Sequence, residues 1–222
     1  FVYYETLKNR YPNVRILTWK KEFNYSAINN FAVREARGEY LLFLNNDVEI
    51  ITESWLEEML QLCQQKDVGM AGAKLYYPDD TIQHAGVVVG LGGVAAHVLC
   101  KLPRDAEGYM GRLRCVQEIS AVTAACMMVK TSVFKAVGGF DEELKVAFND
   151  IDLCMKVRKY GVKIVFTPYA ELYHYESKSR GMEDTPEKQL RFSREVNCFR
   201  RKWERELLKG DPYYNPNLTL NN

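Results

Sequence analysis

Five consecutive aromatic or aliphatic residues, Tyr40-Leu41-Leu42-Phe43-Leu44, run straight into Asn45-Asn46-Asp47, and this abrupt change limits what the chain can fold into. A run so short and so apolar reads as a buried strand, and the polar triplet reads as the loop where that strand leaves a sheet. Helical patterns lie on both sides. Residues 25–37 form an amphipathic segment closed by Gly38, and residues 54–65 form another before a second strand pattern over 68–76. Helix, strand, loop, helix, strand is a βαβαβ order, which predicts an α/β fold with a mainly parallel sheet flanked by helices.

The remaining chain continues the alternation with one interruption. Residues 1–10 have a helical mix, and 14–17 a short β-rich run after Tyr11-Pro12-Asn13. Between residues 78 and 114, Gly86, Gly90, Gly92, Gly93 and Gly108 break up short β-like pieces without helical period, which predicts a small irregular β insertion. A strand over 120–130, a short helix near Ser132 and a Gly138-Gly139-Phe140-Asp141 turn follow. Asn149-Asp150 opens a helix to about residue 160, Gly161 ends it, and 163–166 is another strand. Thr185-Pro186 starts a C-terminal helix over 186–209, since threonine caps well and proline suits the first turn.

Composition narrows the function classes. Residues are 47% hydrophobic and 27% charged, which is ordinary for a globular domain and not for a disordered one. Thirty basic against 29 acidic residues leave a formal charge of +1 without a polybasic block, so nucleic acid is not an expected partner. No apolar run approaches the roughly 20 residues of a membrane-spanning helix. The six cysteines include no Cys-x-x-Cys pair and read as reduced thiols, and no leader-like segment precedes the first helix. A cytoplasmic setting is expected, with any membrane association peripheral at the inner face.

Three short segments carry the candidate chemistry. Asp47, at the carboxyl end of a strand, is where open α/β sheets gather ligands, and its oxygens suit magnesium or manganese. The competing account is an Asx turn. In Asn149-Asp150-Ile151-Asp152 a carboxylate can serve as general base, although capping and the helix dipole also favour acidic residues there. His174 lies in a tyrosine-rich segment before Ser177-Lys178-Ser179-Arg180; it can ligate a metal, and Lys178 and Arg180 can neutralise phosphate, or all three can be structural. His84 and His97 have no partner at metal-ligand spacing, and their default is structural. No Ser/His/Asp arrangement, Walker loop or dinucleotide turn is evident.

Taken together and in order, these segments resemble the family 2 glycosyltransferases of the GT-A fold, in particular a rhamnosyltransferase-like bacterial group. Phe23-Asn24-Tyr25-Ser26-Ala27-Ile28-Asn29-Asn30 is similar to the family's Asn-rich helix start, and residues 36–44 to its central strand. Asn45-Asn46-Asp47 resembles its D-x-D metal motif, and Gly138-Gly139-Phe140-Asp141 with Asn149-Asp150-Ile151-Asp152-Leu153 its acidic catalytic motif. Two positions depart from the pattern: Asn45 stands where the family often has the first Asp, and Asn149 where it often has Glu. The resemblance covers nearly the whole chain, but family members begin with an apolar strand, a nucleoside-gripping loop, a helix and a second strand. Residues 1–10 look like the helix after that second strand. The chain is therefore expected to be a partial GT-A domain over 1–222 lacking its first strands, with an exposed sheet edge that favours a homo-oligomer.

What the resemblance implies is transfer of a sugar, with inversion, from a nucleotide-diphosphate sugar to a saccharide or lipid-linked acceptor hydroxyl in cell-surface polysaccharide synthesis. Asp47 and His174 would hold magnesium or manganese; Asn45, Asn46, Lys178 and Arg180 would bind the donor. Asp150 would be the base with Asp152 supporting it, and Trp55 and His84 would line the acceptor side. The alternatives are a non-catalytic carbohydrate- or partner-binding module on the same fold, or a nucleotidyltransferase.

Overall fold

The computed structural model describes residues 2–176 and 185–221. Helix α1 spans Val2–Arg10 and α2 spans Tyr25–Glu35, the latter started by Asn24, whose side chain accepts from the Ala27 N–H at 3.0 Å. Strands β1 (Tyr40–Leu44) and β2 (Val48–Ile50) flank the Asn-Asn-Asp turn, α3 (Trp55–Cys63) follows, and β3 (Val68–Tyr76) is buried along its whole length. The glycine-punctuated stretch supplies β4 (Ile82–His84), the β5–β6 hairpin (Val87–Val89 and Ala95–His97) and, beyond it, β7 (Gln117–Glu118). Then come β8 (Cys126–Lys130), α4 (Thr131–Ala136), α5 (Asn149–Lys159), β9 (Lys163–His174), α6 (Pro186–Lys202) and α7 (Glu204–Lys209).

The main sheet runs β1-β8-β3-β9-β2, with β4 on β3 and β7 on β9. The expectation of a mainly parallel sheet needs correction, because β3–β9 is the only parallel pairing among the described strands. The physical reason is an inserted strand. β1 and β3 do point the same way, as a βαβ crossover through α3 requires, but β8 lies between them and is antiparallel to both. The sheet is mixed, and helices cover both faces. Trp55, Met59, Leu62 and Cys63 of α3 pack with Ala71, Ala73, Leu75 and Leu172 on one face. Met70, Tyr76 and Phe166 pack with Leu153 and Val157 of α5 and Phe199 of α6 on the other. These alternating positions on β3 are what a strand buried on both faces presents.

Three further expectations change. Residues 14–17 form no strand; Arg15 is instead tied to α2 by its bond to the Glu35 carbonyl. The strand begun at Lys163 does not end before Pro168 but runs to His174, because the Thr167–Ala170 stretch bulges out of register with β3 and takes proline off the ladder. The C-terminal helix over 186–209 is two helices that break at Trp203, whose indole N–H is drawn inward to Asp152 Oδ1 at 2.9 Å. All six cysteines are free. No helix among the described residues is long and apolar enough to cross a membrane.

Candidate active site

The chain segment 123–125 joins the two ends of the site. Just before it, Val122 is pressed against β3 at Gly72, where a Cβ would lie 2.3 Å from Val122 Cγ1, so only glycine allows this approach. From there the Ala125 carbonyl accepts the Asn45 N–H at 3.0 Å, and the Ala124 N–H donates to Asp150 Oδ2 at 3.2 Å. The β1 turn and the start of α5 therefore share one wall. Asp47 and Asp150 both line the same cleft of about 660 Å³, together with Asn45, Asn46, His174 and Glu176.

His174 has a defined tautomer. The Gln83 amide nitrogen donates to the His174 carbonyl at 3.2 Å and to Glu176 at 3.4 Å, so Gln83 Oε1 faces His174 Nδ1 at 2.7 Å and must accept its proton. That leaves Nε2 with a lone pair. Asn45 Nδ2 donates to it at 3.1 Å, and Asp47 Oδ1 stands 3.3 Å away. A carboxylate oxygen and an imidazole lone pair repel at this distance, and Asp47 Oδ1 is buried without a hydrogen bond among the described residues. Burial pushes the imidazole below its ordinary value against the opposing pull of Asp47 and Glu176, a direction that favours its neutral, ligating form. A divalent cation satisfies both atoms at once, so these residues fit a metal. No group of three His, Cys, Asp or Glu residues suited to a metal occurs among the described residues. Two protein ligands suffice for a cation that keeps waters and binds substrate phosphates.

Asp150 is oriented by main-chain groups, since Oδ2 accepts from Ala124 and Oδ1 accepts from the Ile151 N–H at 2.8 Å. Tyr25 closes the wall with its hydroxyl on the Ala124 carbonyl at 3.3 Å; burial, reinforced by the Asp150 charge, pushes its phenol upward. The segment before Asp150 is strained, with Phe148 at φ 60, a left-handed conformation that costs a non-glycine residue about 1–3 kcal/mol. Glu195 of α6 holds it there. Its 3% exposed carboxylate accepts the Val146 and Ala147 N–H groups at 3.0 and 2.9 Å, and the Asn149 amide donates to the Val146 carbonyl at 3.0 Å.

Other expected site residues fall elsewhere. Asp152 is fully buried outside the cleft, bound by Lys156 at 3.2 Å, Lys202 at 2.7 Å and the Trp203 indole, so it fastens α6 and α7 to α5. Trp55 is packed in the α3 cluster and does not face the cleft. His84 is buried behind the wall, accepting the Thr123 N–H on Nε2 at 3.4 Å, which makes Nδ1 the donor to His97 Nδ1 at 3.0 Å. His97 lines a smaller cavity of about 280 Å³ that meets the cleft at Thr123, His174 and Glu176. Lys178 and Arg180 lie outside the described residues. Gln83, Tyr25, Thr123 and Glu195 were not singled out in the sequence, and nothing local to them marks them.

Fold comparison defines the class. The chain superposes on a GalNAc-T7 structure with UDP, GalNAc and Mn2+ at a TM-score of 0.68 and 13% identity, covering 92% of this chain and 39% of that one. It also matches the mannosyltransferase PcManGT from Pyrobaculum calidifontis, in complex with GDP-Man and Mn2+, at 0.60 and 14% identity over 90% of this chain and 50% of that one. The fold is GT-A. The chain belongs to the glycosyltransferase-like family, whose model matches residues 11–195. Among curated proteins it is 57% identical to the "Uncharacterized protein y4gI" of Sinorhizobium fredii over 93% of this chain and 23% of that protein. It is 42% identical to the O-antigen biosynthesis protein RfbC of Myxococcus xanthus over 94% of this chain and 16% of that protein. An N-acetylglucosaminyl-diphospho-decaprenol L-rhamnosyltransferase of Mycobacterium tuberculosis is 24% identical over 78% of this chain and 62% of its own length. The chain thus spans less than a quarter of y4gI and RfbC.

Proposed function

We propose that this chain is the catalytic core of a metal-dependent, inverting glycosyltransferase that moves a sugar from a nucleotide-diphosphate donor to an acceptor hydroxyl, in the assembly of a cell-surface polysaccharide. The observation that carries the reading is the buried Asp47 Oδ1, without a hydrogen bond among the described residues, facing the His174 Nε2 lone pair in the cleft that also holds Asp150. Asp47 and His174 would hold the cation, whose charge offsets the negative charge that builds on the departing diphosphate. A nitrogen ligand favours manganese over magnesium, which prefers an all-oxygen shell. Asn45 and Asn46 present amides to the donor, and Lys178 and Arg180 are assigned to its phosphates.

Asp150 acts as the base. It takes the proton of the acceptor hydroxyl as that oxygen attacks the anomeric carbon on the face opposite the diphosphate, and the bond to the diphosphate oxygen breaks in the same displacement. Its two main-chain hydrogen bonds fix the carboxylate's direction. Tyr25, kept protonated, holds the Ala124 carbonyl that shares this wall. His84 acts on the acceptor side through His97, whose tautomer it sets. The acceptor is a saccharide, free or lipid-linked. In the intact protein, chelation should abolish transfer and manganese should restore it. Asp150→Asn should abolish transfer while manganese-dependent binding of a nucleoside diphosphate, read by calorimetry, persists. Transfer that survives both chelation and Asp47→Asn would overturn the reading.

A further inference from the structure

A second cavity of about 830 Å³ shares no lining residue, among the described residues, with the cleft or with the His97 cavity, and falls within the roughly 300–1,000 Å³ of small-ligand sites. Side chains alternate along a strand, so Lys74, Tyr76 and Glu171 leave the β3–β9 pair on one face while Leu75, Leu172 and His174 leave it on the other. The β9 bulge builds this cavity. Between the Gly72–Phe166 and Lys74–Glu171 pairs, β9 advances five residues while β3 advances two. Pro168 and Tyr169 are pushed outward by that excess. Tyr169 is 53% exposed in the middle of a strand that pairs on both sides, and its hydroxyl is tied to the Arg114 carbonyl at 3.0 Å. The bulge itself holds an aromatic ring open at the mouth.

The floor is charged and costly to bury. Lys74 is 5% exposed, with its ammonium 5.2 Å from the Tyr76 ring. Burial pushes its pKa down against the opposing pull of Glu171. Arg104 lies 4.9 Å from the same ring and 3.3 Å from Glu171, which also accepts the Tyr76 hydroxyl. Around the cavity, Lys74, Arg104 and Arg114 stand among four carboxylates, those of Asp79, Asp80, Asp105 and Glu171. An anion would meet four like charges, and an apolar ligand would strip water from seven charged groups without replacing it. A neutral polyhydroxylated ring suits the set, because each hydroxyl both donates to a carboxylate and accepts from a cation while the ring's C–H face lies on Tyr169.

We infer that this cavity is a saccharide subsite that holds a neutral sugar of the acceptor glycan, on the face of the sheet opposite His174 and several residues along the glycan from the reacting hydroxyl. The inference rests on the glycosyl-transfer reading for its biological setting, but its binding is measurable without turnover. Saturation-transfer NMR on the intact protein, with methyl glucoside, methyl mannoside and methyl rhamnoside as probes and the cleft filled with UDP and manganese, tests it. Saturation transfer should persist with the cleft filled. Tyr169→Ala and Lys74→Met should each weaken the probe by about tenfold, the loss of one stacked ring or one directed donor, while Tyr169→Phe retains it. Tyr169→Ala should also raise KM for long acceptors and leave kcat unchanged. Absence of saturation transfer, its erasure by UDP and manganese, survival in both variants, or preferential binding of glucuronate or inorganic pyrophosphate would each overturn the inference. Failure of sugar binding with transfer intact removes the subsite alone; failure of transfer removes the enzyme reading and leaves sugar binding to be judged by the same spectra.

Discussion

Removing the carboxylate of Glu195 should damage catalysis from a helix that does not carry the base. Its two oxygens hold the Val146 and Ala147 N–H groups, and bonds to a charged acceptor contribute about 1.5–3 kcal/mol each. In Glu195→Ala both donors lose their partner, and the strained Phe148 loses the contacts that keep it left-handed, so a destabilisation of about 3–5 kcal/mol is expected. Glu195→Gln keeps the volume but turns one oxygen into an NH2 group that meets an N–H donor, so about half that loss is expected. Asp150 follows the clamped segment immediately, and a displacement of about 1 Å in a reacting group can cost on the order of a hundredfold in rate. Denaturant unfolding measures the first effect, and initial rates against donor concentration measure the second. The glutamine variant should lower kcat and leave donor KM and manganese affinity unchanged, since Asp47 and His174 hang from other strands. A glutamine variant with wild-type unfolding midpoint and wild-type kcat would refute the argument.

Three other outcomes follow from the same geometry. Asp152→Ala leaves Lys156, Lys202 and the Trp203 indole without their common buried acceptor, and a loss of about 3–5 kcal/mol should appear as a lowered denaturation midpoint with exposure of Trp203 in its fluorescence. Burial pushes the Cys63 and Cys126 thiols up to about 12, so at mildly alkaline pH alkylation followed by mass spectrometry should mark the exposed Cys115 and spare these two until the protein unfolds. Burial, with His97 and His174 adding to it, holds His84 well below the ordinary histidine value of 6.5. The unfolded chain then binds the proton first, so stability should be full above that value and fall as pH drops through it; His84→Leu should flatten this slope in denaturation series.

How much of this was readable in the sequence depends on how far apart the deciding residues lie. Asn24 and Thr185 cap their own helices, and β3 runs over the residues its apolar pattern marks, because both signals are settled within a few positions. The mixed direction of the sheet was not readable. It turns on β8 coming to lie between β1 and β3, which no residue in β1 or β3 announces. The continuation of β9 past residue 166 was not readable for a related reason: proline ends a strand unless a bulge carries it off the ladder, and the bulge is visible only when β9 is matched to β3. Trp203 likewise breaks a helix that propensity alone would continue, because its indole meets a carboxylate 51 residues earlier.

The cleft divides in the same way. Asp47, Asp150 and His174, which the structure brings to one cleft, stand out in the sequence because strand ends and helix starts are where carboxylates and imidazoles meet ligands. What makes them a site is supplied by partners without local signature: Gln83 sets the tautomer of a histidine 91 positions away, and Glu195 holds the backbone 48 and 49 positions before it. A helix-capping aspartate and a catalytic one are identical in sequence, and Asp150 and Asp152 stand two residues apart on the same helix. Burial separates them, since Asp150 opens onto the cleft while Asp152 is fully enclosed by Lys156, Lys202 and Trp203. The proposed chemistry therefore falls to the carboxylate that lines the cleft, and stability to the one whose described partners are all internal.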